Sequence, residues 1–292
     1  MNRRIAITTF RIVLLNATTL CAYVTHCQAQ PAPTADPQVN SPMIAVDELL
    51  LFFPSKYPVG DWDPEGQNFQ NVSFHAEDGT KLHGWYCPSE NPRGVLLLAH
   101  GNAGNIATRV EWISYLQRRL RLSVFAFDYR GYGKSDGKPS VKGALQDATA
   151  ARAKLCELAQ VKDDAVILMG ESLGGAMVTQ LAADSAPRGL ILQSTFPSLR
   201  DVATVHYPKL AWLVSRKKLD SLSAIQRYHG PLLQSHGEAD HTIPMALGQR
   251  LFQAANQPKQ FVTIANAYHN DWITADYLKQ LDQFLDRLPA AK

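Results

Sequence analysis

The sequence predicts an α/β domain with a mostly parallel central sheet, helices on both faces and a small cap excursion. Three observations predict it. Short, continuous apolar runs recur between helical stretches from about residue 70 onward. Such runs lack polar alternation, as strands covered on both faces require. Strand followed by helix, repeated, closes as parallel crossover units. The 292 residues, 46% of them apolar and 19% charged, suffice for one large domain with a buried core.

In chain order, 71–76 and 80–87 are strand-like runs around the Asp78-Gly79 turn, a hairpin signal. Residues 94–99 (Gly-Val-Leu-Leu-Leu-Ala) form a buried strand, and Ile106, Val110, Ile113, Leu116 and Leu120 mark a helix over 105–120. Then come a strand at 122–127, an Ala-rich helix at 141–158, a strand at 165–169 and a helix at 173–184. Strands follow at 189–193 and 232–235, a helix at 244–255 with Pro244 at its start, and a last strand at 261–264. The final helix shows Tyr277, Leu281, Phe284 and Leu288 on one face. Between two strands, residues 196–230 do not read as one helix and carry Tyr207, Leu210, Trp212, Leu213 and Val214. This excursion reads either as a small cap over the strand ends or as chain packed on the domain surface.

The net charge of +3 is localised. Without Arg3, Arg4 and Arg11 the 29 basic residues fall to 26 and match the 26 acidic ones. A neutral body gives no electrostatic reason to expect nucleic acid as a partner. Residues 1–29 combine a basic start, an apolar stretch from Ile12 to Val24, and small residues at Cys27 and Ala29, as an export signal cleaved after Ala29 requires. Retention as a membrane anchor, or lipidation at Cys21 or Cys27, are the alternatives, and the expected location is periplasmic or secreted. Residues 30–44 read as a Pro-rich linker and 45–292 as the folded domain. Cys87 and Cys156 make no disulfide framework, and both are expected to be buried.

Gly170-Glu171-Ser172-Leu173-Gly174-Gly175 directly follows the strand 165–169 and directly precedes a helix. A G-x-S-x-G run in that setting is a nucleophile elbow, in which a tight turn lifts the serine hydroxyl clear of the sheet. The helix start also aims N–H groups and a positive dipole end at developing negative charge. Ser172 is therefore the candidate nucleophile.

Together with His100-Gly101-Asn102-Ala103-Gly104-Asn105, the run Asp128 to Ser135, and His236-Gly237-Glu238-Ala239-Asp240-His241-Thr242-Ile243-Pro244, the elbow resembles the α/β-hydrolase-fold serine hydrolases. The resemblance covers roughly residues 45–288 and looks closest to small, lid-poor members similar to acyl-protein thioesterases and lysophospholipases. It implies a Ser–Asp–His triad in that chain order. One departure is Asn266-Ala267-Tyr268-His269, where many members place glycine shortly before the histidine.

Serine needs a neighbouring base, and histidine titrates near working pH. Of nine histidines, His269 alone follows the last strand and precedes the final helix; His241 is the alternative. Asp240 follows the strand ending near Ser235 and is the candidate acid, with Glu238 and Asp271 as alternatives. Asp128 is expected to make loop hydrogen bonds. Ser194 and Thr195 follow the strand 189–193, so no acid stands at that strand end. The expected oxyanion donors are the backbone N–H groups of Leu173 and Asn102, with His100 bracing the loop.

These readings lead to two-step acyl transfer on an ester or thioester, with a small-molecule or lipid-like acyl substrate. A peptidase or amidase with the same triad is an alternative, and so is a catalytically silent binding protein. No cofactor is required, and no metal-ligand spacing is present. Peripheral membrane contact is a further expectation. The sequence leaves oligomeric state open.

Overall fold

A computed structural model describes residues 51–290 apart from 216 and 272. The expected export signal and linker lie outside the described residues. The strands are β1 (Phe53–Pro54), β2 (Gln70–His75), β3 (Lys81–Cys87), β4 (Gly94–Ala99), β5 (Ala103–Gly104), β6 (Leu122–Asp128), β7 (Val166–Glu171), β8 (Gly189–Gln193), β9 (Leu232–Gly237) and β10 (Lys259–Ile264). The α-helices are α1 (Val110–Arg118), α2 (Val141–Ala159), α3 (Leu173–Asp184), α4 (Leu199–His206), α5 (Ser221–Ile225), α6 (Met245–Ala254) and α7 (Ala275–Arg287).

Eight strands form one sheet in the order β10-β9-β8-β7-β4-β6-β3-β2. Every pairing is parallel except those of β3, which runs antiparallel to both β2 and β6. The apolar runs sort by period 2 into two layers. Leu97, Leu168, Leu190 and Leu192 face the layer that holds α2 and α3 through Ala144, Ala148, Ala151 and Val178. Leu96, Leu98, Ile167, Met169 and Ile191 face the layer holding α1 and α7 through Trp112, Ile113, Tyr277 and Leu281. Each fully buried side chain of leucine size contributes about 1.5–3 kcal/mol.

The run Asp128 to Ser135 is a braced corner. Arg130 donates to Asp147 Oδ1 at 2.7 Å and to Asp78 Oδ2 at 2.7 Å, joining the β2–β3 turn to α2. Ser135 Oγ donates to the Asp128 carbonyl at 2.7 Å and accepts from His83 N–H at 2.9 Å. The sequence motif therefore holds β3 against β6 at the antiparallel seam.

The expected helix over 105–120 is divided. A 3₁₀ turn at Ile106–Thr108 precedes α1, and Arg109 between them has φ −122° and ψ 18°. Asn105 is extended just before the 3₁₀ turn, and its side-chain amide donates to the carbonyls of Ser55 and Val59 at 3.1 and 2.8 Å. Residues 53–59 thus strap the loop after β4, and β1 pairs with β5 on that loop. Cys87 is buried, and burial pushes its thiol up to about 12. Cys156, expected to be buried, is half-buried beside Asp163, because it lies near the solvent edge of α2. Among the described residues no helix is long and apolar enough to cross a membrane.

Candidate active site

The candidate residues gather at the carboxyl ends of the parallel strands, where open α/β sheets place their sites. Ser172 stands between β7 and α3 with φ 51° and ψ −113°, a conformation that strains any residue but glycine. The turn holds because its neighbours leave no room. A Cβ on Gly170 would run into the Gly174 carbonyl, and one on Gly174 into the Ala99 carbonyl. Ser172 N–H donates to the Gln193 carbonyl at 2.8 Å, and Thr195 Oγ1 donates to the Ser172 carbonyl at 2.8 Å. Thr195 is thus a buried support of the elbow, while the buried Ser194 beside it gives its N–H to the Ser235 carbonyl at 3.0 Å.

Asp240 ends the turn after β9 and is buried. Its Oδ1 accepts from the N–H groups of Thr242 and Ile243 at 2.9 and 2.8 Å. Its Oδ2 lies 2.7 Å from His269 Nδ1 and 3.3 Å from His236 Nε2. Burial by itself would raise the acid's pKa. The hydrogen bonds from His236, His269 and the Ile243 amide overcome it and hold the carboxyl well below the usual carboxylate range. The Nδ1 bond makes Nδ1 the protonated nitrogen of a neutral His269 ring, leaving Nε2 as a proton acceptor. Among the described residues the ring's hydrogen-bond partner is Asp240, and no bond to Ser172 Oγ is formed in this conformation. Such nucleophile–base bonds are often long without substrate.

The alternatives are occupied elsewhere. Glu238 accepts from Asn266 N–H at 3.3 Å, and Asp271 accepts from Tyr268 N–H at 3.3 Å. His241 is exposed, with its ring centroid 5.9 Å from that of Tyr268.

The loop after β4 brings Asn102 to the elbow. Its side chain accepts from Phe53 N–H at 3.0 Å, and its carbonyl accepts from Tyr132 Oη at 2.6 Å. Among the described residues the N–H groups of Asn102 and Leu173 have no protein acceptor, as oxyanion donors must not. His100 Nδ1 donates to the Gly101 carbonyl at 2.7 Å, and its ring is buried against Tyr129 and Tyr132. Asp128 accepts from Ile106 N–H at 2.9 Å.

Three supports escaped sequence reasoning. His236 shares the acid: its Nε2–H, donated to the Ile243 carbonyl at 2.8 Å, is forked toward Asp240 Oδ2 at 3.3 Å. Its place four residues before Asp240 was the available signal. Arg109 donates to the carbonyls of Ala103 and Asn105 at 3.0 and 3.2 Å and pairs with Glu171 at 3.4 Å. It thereby staples the Asn102 loop to the residue preceding Ser172. The strap at 53–59 is the third. Among the described residues no group of three His, Cys, Asp or Glu side chains is disposed to hold a metal ion.

A family model described as alpha/beta hydrolase fold matches residues 94–216. "Uncharacterized protein Rv2307c" of Mycobacterium tuberculosis is 36% identical over 256 residues, covering 84% of this chain and 90% of that protein. "Alpha/beta hydrolase domain-containing protein WAV2" of Arabidopsis thaliana is 30% identical over 282 residues, covering 86% and 91%. The chain belongs to the α/β-hydrolase family. Among solved structures, the Pyrococcus furiosus esterase Pf2001 superposes with a TM-score of 0.66 at 20% identity, covering 81% of this chain and 99% of that one. At that identity the likeness speaks for the fold.

Proposed function

We propose that this chain is a serine hydrolase that cleaves carboxylic esters or thioesters of small or lipid-like acyl groups. The observation that carries the reading is the His269–Asp240 pair at 2.7 Å, on the same rim as a serine held at positive φ on a helix N-terminus. In the first step Ser172 Oγ forms a bond to the carbonyl carbon while its proton passes to His269 Nε2. Asp240 stabilises the imidazolium and remains ionised. The tetrahedral oxyanion accepts from the N–H groups of Asn102 and Leu173, each worth roughly 10²–10³ in rate. Collapse breaks the bond to the leaving group, which departs with the proton from His269. Water, deprotonated by His269, then releases the acid and restores Ser172.

Esterase structures among the fold's relatives support ester chemistry over amide chemistry, since the same triad serves both. The export reading of residues 1–29 belongs to the same proposal and places the reaction outside the cytoplasm. The test is labelling with a fluorophosphonate, which reacts with an activated serine. Wild-type chain is expected to label at Ser172, and Ser172→Ala to remain unlabelled. A folded wild-type chain that fails to label, and leaves a graded series of p-nitrophenyl esters intact, overturns the reading in favour of a silent binding protein.

A further inference from the structure

We propose that the tip of the 196–230 excursion docks on a membrane surface rich in anionic phospholipid, with Leu210, Trp212 and Leu213 entering the headgroup layer. This goes beyond the hydrolase reading, because docking requires no turnover.

The tip is apolar where a soluble surface should be polar. Tyr207, Leu210, Trp212 and Leu213 lie within seven residues and are 51%, 54%, 70% and 60% exposed. They are not loosely held. Arg200 donates to the carbonyls of Val214 and Trp212 at 2.7 and 2.9 Å, and Ala211 and Val214 are buried beneath them. The indole N–H of Trp212 is already satisfied by the Lys209 carbonyl at 3.1 Å. The ring can therefore leave water without stranding a donor, which suits the boundary between headgroups and acyl chains.

Charge names the surface. Residues 196–230 hold six basic residues (Arg200, Lys209, Arg216, Lys217, Lys218, Arg227) against Asp201 and Asp220. Outside that segment, residues 30–292 hold 20 basic and 24 acidic residues, so a neutral body carries its positive excess on the excursion. From His206 to Leu219 there is no acid at all. Exposed Lys209 and Lys217 beside an aromatic–aliphatic tip are the chemistry of an interface facing negative lipid. The tip also belongs to the site's rim: His206 Nε2 donates to the Thr242 carbonyl at 2.8 Å, two residues from Asp240. Docking there would bring the strand ends up to lipid.

The experiment uses the full chain as Ser172→Ala, so that vesicle lipid is not consumed. Tryptophans stand at 62, 85, 112, 212 and 272, and none lies in residues 1–50. An N-terminal segment that itself binds vesicles therefore adds no fluorescence. Vesicles of brominated phosphatidylglycerol in phosphatidylcholine are expected to quench the emission. Adding Trp212→Phe should remove most of that quenching, and Lys209→Glu with Lys217→Glu should weaken vesicle affinity by roughly thirtyfold or more. Equal quenching with and without Trp212 overturns the proposal. So does equal quenching by brominated phosphatidylcholine alone. A Trp212 emission already that of a buried indole without lipid assigns the tip to a second copy or another protein segment instead. Labelling of the wild-type serine is read separately, so either idea can fail alone.

Discussion

At the scale of single residues, one carboxylate faces two imidazoles, and under the proposed mechanism it governs how the base behaves. Asp240 Oδ2 faces His269 at 2.7 Å and His236 at 3.3 Å. Replacing His236 by leucine takes one donor from the carboxylate and makes it a stronger acceptor toward His269. The acid limb of the kcat/KM profile for a p-nitrophenyl ester is expected to move to higher pH in His236→Leu, with activity at its plateau retained. An unmoved limb would assign His236 to packing alone. The linkage sign is the usual one for a depressed carboxylate. Asp240 stabilises the fold above its unfolded value of about 4, and that contribution is lost as pH falls through its lower folded value. The placement of Ser172, Asp240 and His269 just past strand ends was legible because the apolar run of each strand is plain in the sequence. His236 was not, because its place four residues before Asp240 puts it near the acid without showing that its ring turns toward the carboxylate.

At the scale of elements, the two proposed oxyanion donors, Asn102 and Leu173, sit on separate pieces of chain that the proposed mechanism requires to keep a fixed spacing. Arg109 supplies it, reaching the carbonyls of Ala103 and Asn105 with one end and Glu171 with the other. Arg109→Met is expected to lower kcat roughly tenfold with little change in KM, since a misplaced donor acts on the transition state more than on bound substrate. Arg109→Lys keeps a cation for Glu171 and loses the planar fork to the carbonyls, so it should recover only part of the rate. Steady-state kinetics on one ester series checks both. The clamp was hidden in the sequence for a reason. Two of its four partners are backbone carbonyls, which every residue possesses, so Arg109 looked like any polar residue on an amphipathic helix. The helices Leu199–His206 and Ser221–Ile225 escaped similarly, being too short to show a period.

At the scale of the whole molecule, the sheet's architecture follows from its alternating runs, and the seam at β3 carries a pH liability. His83 is buried there, and burial, aided by Lys134 and opposed by Asp128, pushes its pKa down to about 4. Between the ordinary histidine value and about 4 the unfolded chain takes a proton that the folded chain refuses. Stability therefore falls as pH falls through that window, by about 2 kcal/mol at pH 5. His83→Gln is expected to flatten the drop in Tm between pH 7 and pH 5, as read by thermal denaturation. An equal drop in variant and parent would remove His83 as the cause. Phe53 grips the Asn102 side chain, Asn105 grips Ser55 and Val59, and β1 lies along β5. Whatever precedes residue 51, whether tether, cut end or affinity tag, is mechanically in series with the loop that faces the elbow. Past the closing helix, the Pro289 carbonyl instead accepts from Arg188 Nε at 2.7 Å, just before β8 and at the amino ends of the parallel strands. The two ends of the described residues are thus unequal handles, and a pull on the first is felt where the chemistry is proposed to occur.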